Sequence, residues 1–239
     1  CRTKKNYSKT TRIKRKKQII SEAAKGPRDL PENAYVTIRD AGGELEIIYT
    51  TKDGYDLSNI QSEVRGMIKM SKNTNPEKCV KDVWIVGVAD AASGWGPMLY
   101  EVAIEYASKH GKGLTSDRQL VSTAAKGVYD FYQSKRSDVQ KVQMDITKRS
   151  IKTVFGDEDK IKQLTPNDKT DDCDQIASIF YSAGKGDWKT SSARTRIKNA
   201  QEDPFDNEWH KESISKILVK NNPIVSGMLK KAGKLRMDL

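Results

Sequence analysis

The residues best placed to do chemistry run from Asp90 to Pro97, in the order Asp-Ala-Ala-Ser93-Gly94-Trp95-Gly96-Pro97. Glycines at 94 and 96 let the backbone turn tightly, and Pro97 suits the first turn of a helix, where its missing N–H costs nothing. A helix starting there would aim the amides of Gly94, Trp95, Gly96, Met98 and Leu99 outward, with Ser93 beside them. That is a site for an anion such as a pyrophosphate. The plainer reading is a strand-to-helix turn that binds nothing. Two familiar phosphate loops are excluded. No Lys follows the glycines as a Walker loop requires, and the third position of Gly-x-Gly-x-x-Gly is Leu99.

Other reactive residue types carry less. Ser93 lacks the Gly-x-Ser-x-Gly setting of a nucleophile elbow, because position 91 is Ala. Cys173, between Asp172 and Asp174, would make a poor nucleophile, since acidic neighbours disfavour the thiolate. Cys1, Cys79 and Cys173 are too few for a disulfide framework, and with only His110 and His210 no metal site is expected. They read as free thiols in a reducing compartment. Asp171 to Asp174 could hold a cation but reads better as a solvated helix start. His110 suits a helix C-terminal cap, and Trp188 and Trp209 suit a small satellite core or a partner surface.

The elements that would position the loop follow from hydrophobic period. Residues 34–40 and 44–51 alternate apolar and polar around Ala41-Gly42-Gly43, which predicts a hairpin. Leu57, Ile60, Val64, Met67 and Ile68 predict an amphipathic helix to about Met70. Val83 to Ala89 is almost continuously apolar and predicts a central strand buried on both faces. Met98, Leu99, Val102, Ala103, Tyr106 and Ala107 predict a helix over 97–109. Residues 114–118 suggest a short strand. Ala124, Ala125, Val128, Phe131 and Tyr132 predict the inward face of a helix over 122–134. Beyond 140, helices are expected at 139–154, 172–182, 208–220 and 225–234.

The loop and its flanking elements resemble the GNAT family of N-acetyltransferases. In that family a central strand enters a Gly-x-Gly loop that cradles the pyrophosphate of coenzyme A. A helix, a strand and a second helix with the pattern Asn-x-x-Ala-x-x-x-Tyr follow. Ser93 to Ala107 matches the loop and first helix, and Ser122-Thr-Ala-Ala125-Lys-Gly-Val-Tyr129 keeps the Ala and the Tyr, with Ser in place of Asn. The resemblance covers about 80–136. Ala91 replaces the family's Gln or Arg, the Gly-Phe after the late helix is missing, and the intervening strand is charged. Gly111 to Arg118 and Val121 to Ala125 also resemble small bacteriophage-encoded members.

The resemblance implies acetyl transfer from acetyl-CoA to an amine. Ser93, Gly94, Trp95, Gly96, Met98 and Leu99 would hold the cofactor. A backbone N–H of strand 83–89 would polarise the thioester carbonyl, and Tyr129 would protonate the departing thiolate. Glu44, Glu46 and Asp90 are unranked candidates for the base. For Tyr129 the plainer reading is an aromatic on a buried helix face. The alternative function is a non-catalytic GNAT-like component of a larger, virion-type assembly in contact with nucleic acid, with the cleft filled by a side chain such as Trp95.

Composition bounds these readings. The chain has 239 residues and a mean hydropathy of −0.73, and no stretch approaches the ~20 apolar residues that span a bilayer. Formal charge is +11, yet residues 1–28 hold eleven Lys/Arg against Glu22 alone, leaving a body of +1. Such an arm should be extended or disordered when free and bind a polyanion, most simply nucleic acid. Its contacts would be Arg2, Lys4, Lys5, Arg12, Lys14, Arg15, Lys16 and Lys17. A chain beginning at Cys1 reads as a processed or partial product. The expectation is an α/β protein of cytoplasmic or virion-associated location. It would have a basic arm (1–30), a GNAT-like mixed sheet with flanking helices (31–138) and a mainly helical C-terminal segment (139–239).

Overall fold

Alternation at period two builds the first hairpin, in the computed structural model, which describes residues 24–51, 64–77, 79–155, 161–182 and 208–238. Strands β1 (Tyr35–Asp40) and β2 (Glu44–Thr50) pair antiparallel, with Tyr35 opposite Thr50 and Asp40 opposite Leu45. The turn closes where the Ala41 N–H donates to the Glu44 carbonyl at 2.8 Å. Gly42 and Gly43 carry φ of +75° and +98°, a region L side chains rarely adopt.

The segment expected to be a helix to Met70 is instead strand where it is described. Residues 57–63 lie outside the described residues, and β3 (Val64–Lys72) pairs antiparallel with β2. Gly66, Ile68 and Met70 are buried while Arg65 and Ser71 are exposed, a strict period of two. Val64, Met67 and Ile68 mark a helical face, so pairing with β2 decides the outcome. Strand β4 (Trp84–Ala91) follows antiparallel to β3. Helix α1 (Gly96–His110) then crosses to β5 (Leu114–Thr115), which runs parallel to β4. A Cβ at Gly66 would lie 2.8 Å from Leu99 Cδ1 and 3.0 Å from Ala91 Cβ, so a side chain there would have to displace Leu99 of α1 and crowd β4.

Helix α2 (Thr123–Lys135) starts at Ser122, whose Oγ accepts the Ala125 N–H at 3.1 Å. Tyr129 and Tyr132 are its buried residues, whereas Phe131, expected inward, is 42% exposed.

Among its described residues the C-terminal segment mixes helix and strand, with helices in part at 139–154, 172–182 and 225–234 and strand in place of the helix expected to 220. It supplies β6 (Gln140–Gln143), β7 (Asp145–Ile146), β8 (Asp172–Cys173), β9 (Lys216–Val219) and β10 (Leu235–Asp238). Between them lie helices α3 (Lys148–Phe155), α4 (Ile176–Ser182) and α5 (Ile224–Lys231). The main sheet has the order β10-β1-β2-β3-β4-β5-β9-β6, and β7 pairs with β8 apart from it. The sheet therefore continues across the boundary expected at 138. Trp209 packs with Ile146, Ile151, Ile179 and Phe180 in a satellite core, so it is no exposed partner anchor.

An ion-pair cluster and a disulfide add to the sheet pairing that ties the C-terminal segment to the rest. Lys220, 2% exposed, places Nζ 2.6 Å from Glu101 Oε2 and 2.9 Å from Glu105 Oε1, both on the buried face of α1. Glu105 also accepts the N–H of Val225 and Ser226 at the start of α5. A disulfide joins Cys79 to Cys173, so these two are not the free thiols expected from their scatter in sequence. Among the described residues no helix is long and apolar enough to cross a membrane.

Candidate functional site

Strands β4 and β5 pair only at Trp84 with Leu114 and Ile85 with Thr115. Beyond Ile85 they part, and Gly87 to Asp90 are exposed. Trp84 and Val86 bury one face and Ile85 is half-buried on the other, so the expectation of a strand buried on both faces through Ala89 fails beyond Val86. On the side of β5, the N–H and C=O groups of β4 from Val86 onward meet a cleft instead of a strand, an edge open to a ligand.

The cleft has a volume of about 410 Å³ and lies between Val86–Ala89 of β4, Asp117, and the side chains of Tyr100 and Tyr129. A second cavity of about 300 Å³ shares Ala89, Tyr100, Ser122 and Ala125 with it and extends to Ser93, Gly94, Gly96 and Leu99. Loop and open strand edge thus belong to one continuous depression.

Gly94 adopts φ +86°, which fixes glycine there. A Cβ on Gly96 would meet only Ala91 Cβ at 4.0 Å, so its missing side chain leaves free space toward the cavity. Two of the amides expected to point at an anion are otherwise engaged. Trp95 N–H donates to the Ala92 carbonyl at 3.1 Å, and Leu99 N–H to the Trp95 carbonyl at 3.3 Å. Met98 is buried and does not line the cavity. The Trp95 ring, 6% exposed, sits 4.6 Å from the Tyr49 ring in the core and does not fill the cleft.

Tyr129 is 1% exposed, and its hydroxyl has no hydrogen-bond partner among the described residues. Tyr100, which sequence reasoning passed over, has an equally orphaned buried hydroxyl, and the two rings meet edge to face at 5.9 Å. An unmade hydrogen bond of this kind costs ~1–3 kcal/mol, and each such group calls for a reason. Burial pushes the Tyr129 phenol well above its ordinary value of 10, the Tyr100 hydroxyl adds to the rise, and Arg118 opposes it. Both phenols therefore hold their protons at neutral pH.

Arg118 shapes the wall behind them. Fully buried, it donates from Nε to the Asp174 carbonyl at 2.9 Å, from Nη1 to the Ile214 carbonyl at 2.8 Å, and from Nη2 to Gln175 Oε1 at 2.7 Å. Nη1 also reaches Thr115 and Ser116. Burial pulls its pKa down to about 10, against the influence of Tyr129, Asp117 and Asp174. The charge that made 114–118 a poor strand is thus an internal brace for the cleft.

Of the candidate bases, Glu46 is excluded. It is 2% exposed and paired with Arg39 and Lys69; burial alone would raise its carboxyl, but these partners hold it below the usual range. Glu44 is exposed at the start of β2 and lines neither cavity. Asp90 lines the second cavity, and Asp117, absent from the sequence-based candidates, lines the first. Asp117 Oδ1 accepts the N–H of Gln119 and Leu120, which fixes the carboxylate.

The arm's Arg2, Lys4, Lys5, Arg12, Lys14, Arg15, Lys16 and Lys17 lie outside the described residues. The described chain begins beside the loop, where Lys25 N–H donates to the Gly94 carbonyl at 2.9 Å and Lys25 Nζ lies 5.1 Å above the Trp95 ring. Asp145, Asp171 and Asp172 bring carboxylate oxygens within 4.8 Å of one another. Asp145 already accepts the N–H groups of Ile146, Leu164 and Thr165, a structural role. No protein-family model matches this chain, and neither a curated protein nor a solved structure does.

Proposed function

We propose that the chain is a GNAT-type acyltransferase, moving an acetyl group from acetyl-CoA to an amine. The observation that carries the reading is the pair of orphaned, buried hydroxyls of Tyr100 and Tyr129 at the open edge of β4, in line with the glycine loop. Unsatisfied donors beside an unpaired strand edge fit a ligand with acceptors along its length. The open space at Gly96 fits a bulky anion at the loop.

Gly94 and Gly96 would take the pyrophosphate through backbone N–H groups, with the Ser93 hydroxyl beside them and the partial positive charge of the α1 N-terminus behind. An N–H of β4 between Val86 and Ala89 would face the thioester carbonyl oxygen and stabilise charge that develops there. Acetyl-CoA, when bound, supplies the acetyl group as a thioester, whose C–S bond breaks as the amine forms a C–N bond. Tyr129 would donate its proton to the leaving sulfur, and Tyr100 would hold Tyr129 and the chain of the cofactor by packing and by its own hydroxyl. Asp90 or Asp117 would accept the amine's proton, so the proton count balances. Acid–base assistance of this kind is worth ~100 to 10,000-fold in rate.

Trp95, turned into the core against Tyr49, supports this reading over the non-catalytic assembly component, whose cleft it was expected to fill. The basic arm would tether the enzyme to nucleic acid. Gly96→Val tests the loop. The backbone at 96 accepts any residue, so the fold should survive while calorimetric binding of acetyl-CoA is lost; unchanged affinity would overturn the loop assignment.

A further inference from the structure

Residues 29–239 carry a formal charge of only +1. Yet five cations from four separate segments converge on one cavity of about 680 Å³: Lys81, Lys112, Lys148, Arg149 and Lys169. Two acids, Glu77 and Asp172, share its lining. All five cations are exposed, and none makes a salt bridge among the described residues. The cavity lies beyond the starts of β4 and β5, whereas the glycine loop lies past the end of β4. It is a different site from the cleft.

Its walls are held firmly. Asn73 Nδ2 donates to the carbonyls of Cys79 at 2.7 Å and Val80 at 3.1 Å, which fixes the turn carrying Lys81. The Cys79–Cys173 disulfide ties that turn to β8. Thr147 N–H donates to the Cys173 carbonyl at 3.3 Å, and its Oγ1 accepts the Ser150 N–H at 3.1 Å, capping α3 so that Lys148 and Arg149 open the helix. Lys112 N–H donates to the Asp82 carbonyl at 2.9 Å. Segments far apart in sequence are thus braced so that their positive charges face one basin, an arrangement that mutual repulsion opposes and a bound polyanion would reward.

We propose that this basin binds consecutive backbone phosphates of a nucleic-acid strand. Exposed lysines and an arginine spread over a wide, open cavity contact phosphates without reading bases. The site is a folded counterpart to the basic arm and does not depend on the acyltransferase reading.

The test is fluorescence anisotropy of a labelled 20-base-pair DNA duplex with the full chain, from 50 to 200 mM salt. The cavity variant Lys148→Gln/Arg149→Gln/Lys169→Gln is compared with Lys135→Gln/Lys230→Gln/Lys231→Gln, which removes the same charge from exposed sites elsewhere. Among the described residues none of these side chains makes a hydrogen bond or an ion pair, and thermal unfolding of each variant verifies that the fold is kept. Each phosphate deprived of its cation should lower the slope of log K against log salt by about 0.9. The cavity variant should therefore fall by about 2 to 3 in slope and at least tenfold in affinity at 50 mM salt, while the control changes little. A cavity variant that matches the control, or keeps the wild-type slope, overturns the proposal.

Discussion

Lys220→Met should be among the most destabilising substitutions of a single side chain. Lys220 is 2% exposed, between Glu101 Oε2 at 2.6 Å and Glu105 Oε1 at 2.9 Å. At such distances and an effective dielectric of about 20, each attraction is roughly 6 kcal/mol before desolvation is subtracted. Methionine fills the volume but leaves two buried carboxylates. Glu101 keeps Arg136 and the Tyr132 hydroxyl, whereas among the described residues Glu105 keeps the N–H groups of Val225 and Ser226. Breaking a buried pair costs ~3–5 kcal/mol, which in a chain of this size lowers Tm by roughly 6–20 °C. Burial lowers the Lys220 pKa, but its bonds to Glu101 and Glu105 outweigh burial and raise it. A raised lysine stabilises at pH below its ordinary value near 10.5 and loses that contribution as pH climbs through its folded value. Calorimetric unfolding of the wild type should therefore show an alkaline decline that Lys220→Met lacks. Adding Glu105→Gln to the variant should recover part of the loss. A cost under ~1 kcal/mol, or no recovery, would show that the Lys220 ion pairs do not hold this face of α1.

Two further outcomes follow from the same structure. Thiol titration of the denatured, unreduced chain should find one thiol, from Cys1, and three after reduction; three without reductant would remove the Cys79–Cys173 bond from the account. Reduction, by freeing a 94-residue span, should cost roughly 4–5 kcal/mol and lower Tm accordingly. The Asp172 carboxyl is raised to about 6, by burial first and then by Asp145 and Asp171. Its folded value lies above its unfolded 3.8, so its contribution is present at low pH and is lost as pH rises through about 6. Asp172→Asn should thus gain stability over the wild type from pH 5 to pH 7, and a difference independent of pH would exclude this.

What the sequence disclosed was local. The Gly42-Gly43 turn and Pro97 at the head of α1 each act on their own neighbours, and each was legible. Strand β3 was not, because Val64, Met67 and Ile68 mark a helical face, whereas the residues that pairing with β2 buries are Gly66, Ile68 and Met70. Strand β9 has four residues, and its Leu218 pairs with Leu114 and Lys141, both distant in sequence. Glu101, Glu105 and Arg118 could not be paired from the sequence, because their partners lie up to 121 residues away. At the site, the glycine loop could be read directly. Tyr100 adjoins that loop in sequence, yet its unpartnered hydroxyl exists only in three dimensions, and Asp117 became a candidate only when β4 and β5 were seen to part.

Whether the cleft beside β4 takes acetyl-CoA is decided by titration calorimetry of that ligand into the full chain. One site per chain with micromolar affinity is expected, competed by coenzyme A because the loop holds the shared pyrophosphate. No heat of binding at millimolar ligand would contradict it, and the orphaned hydroxyls of Tyr100 and Tyr129 would then need another partner.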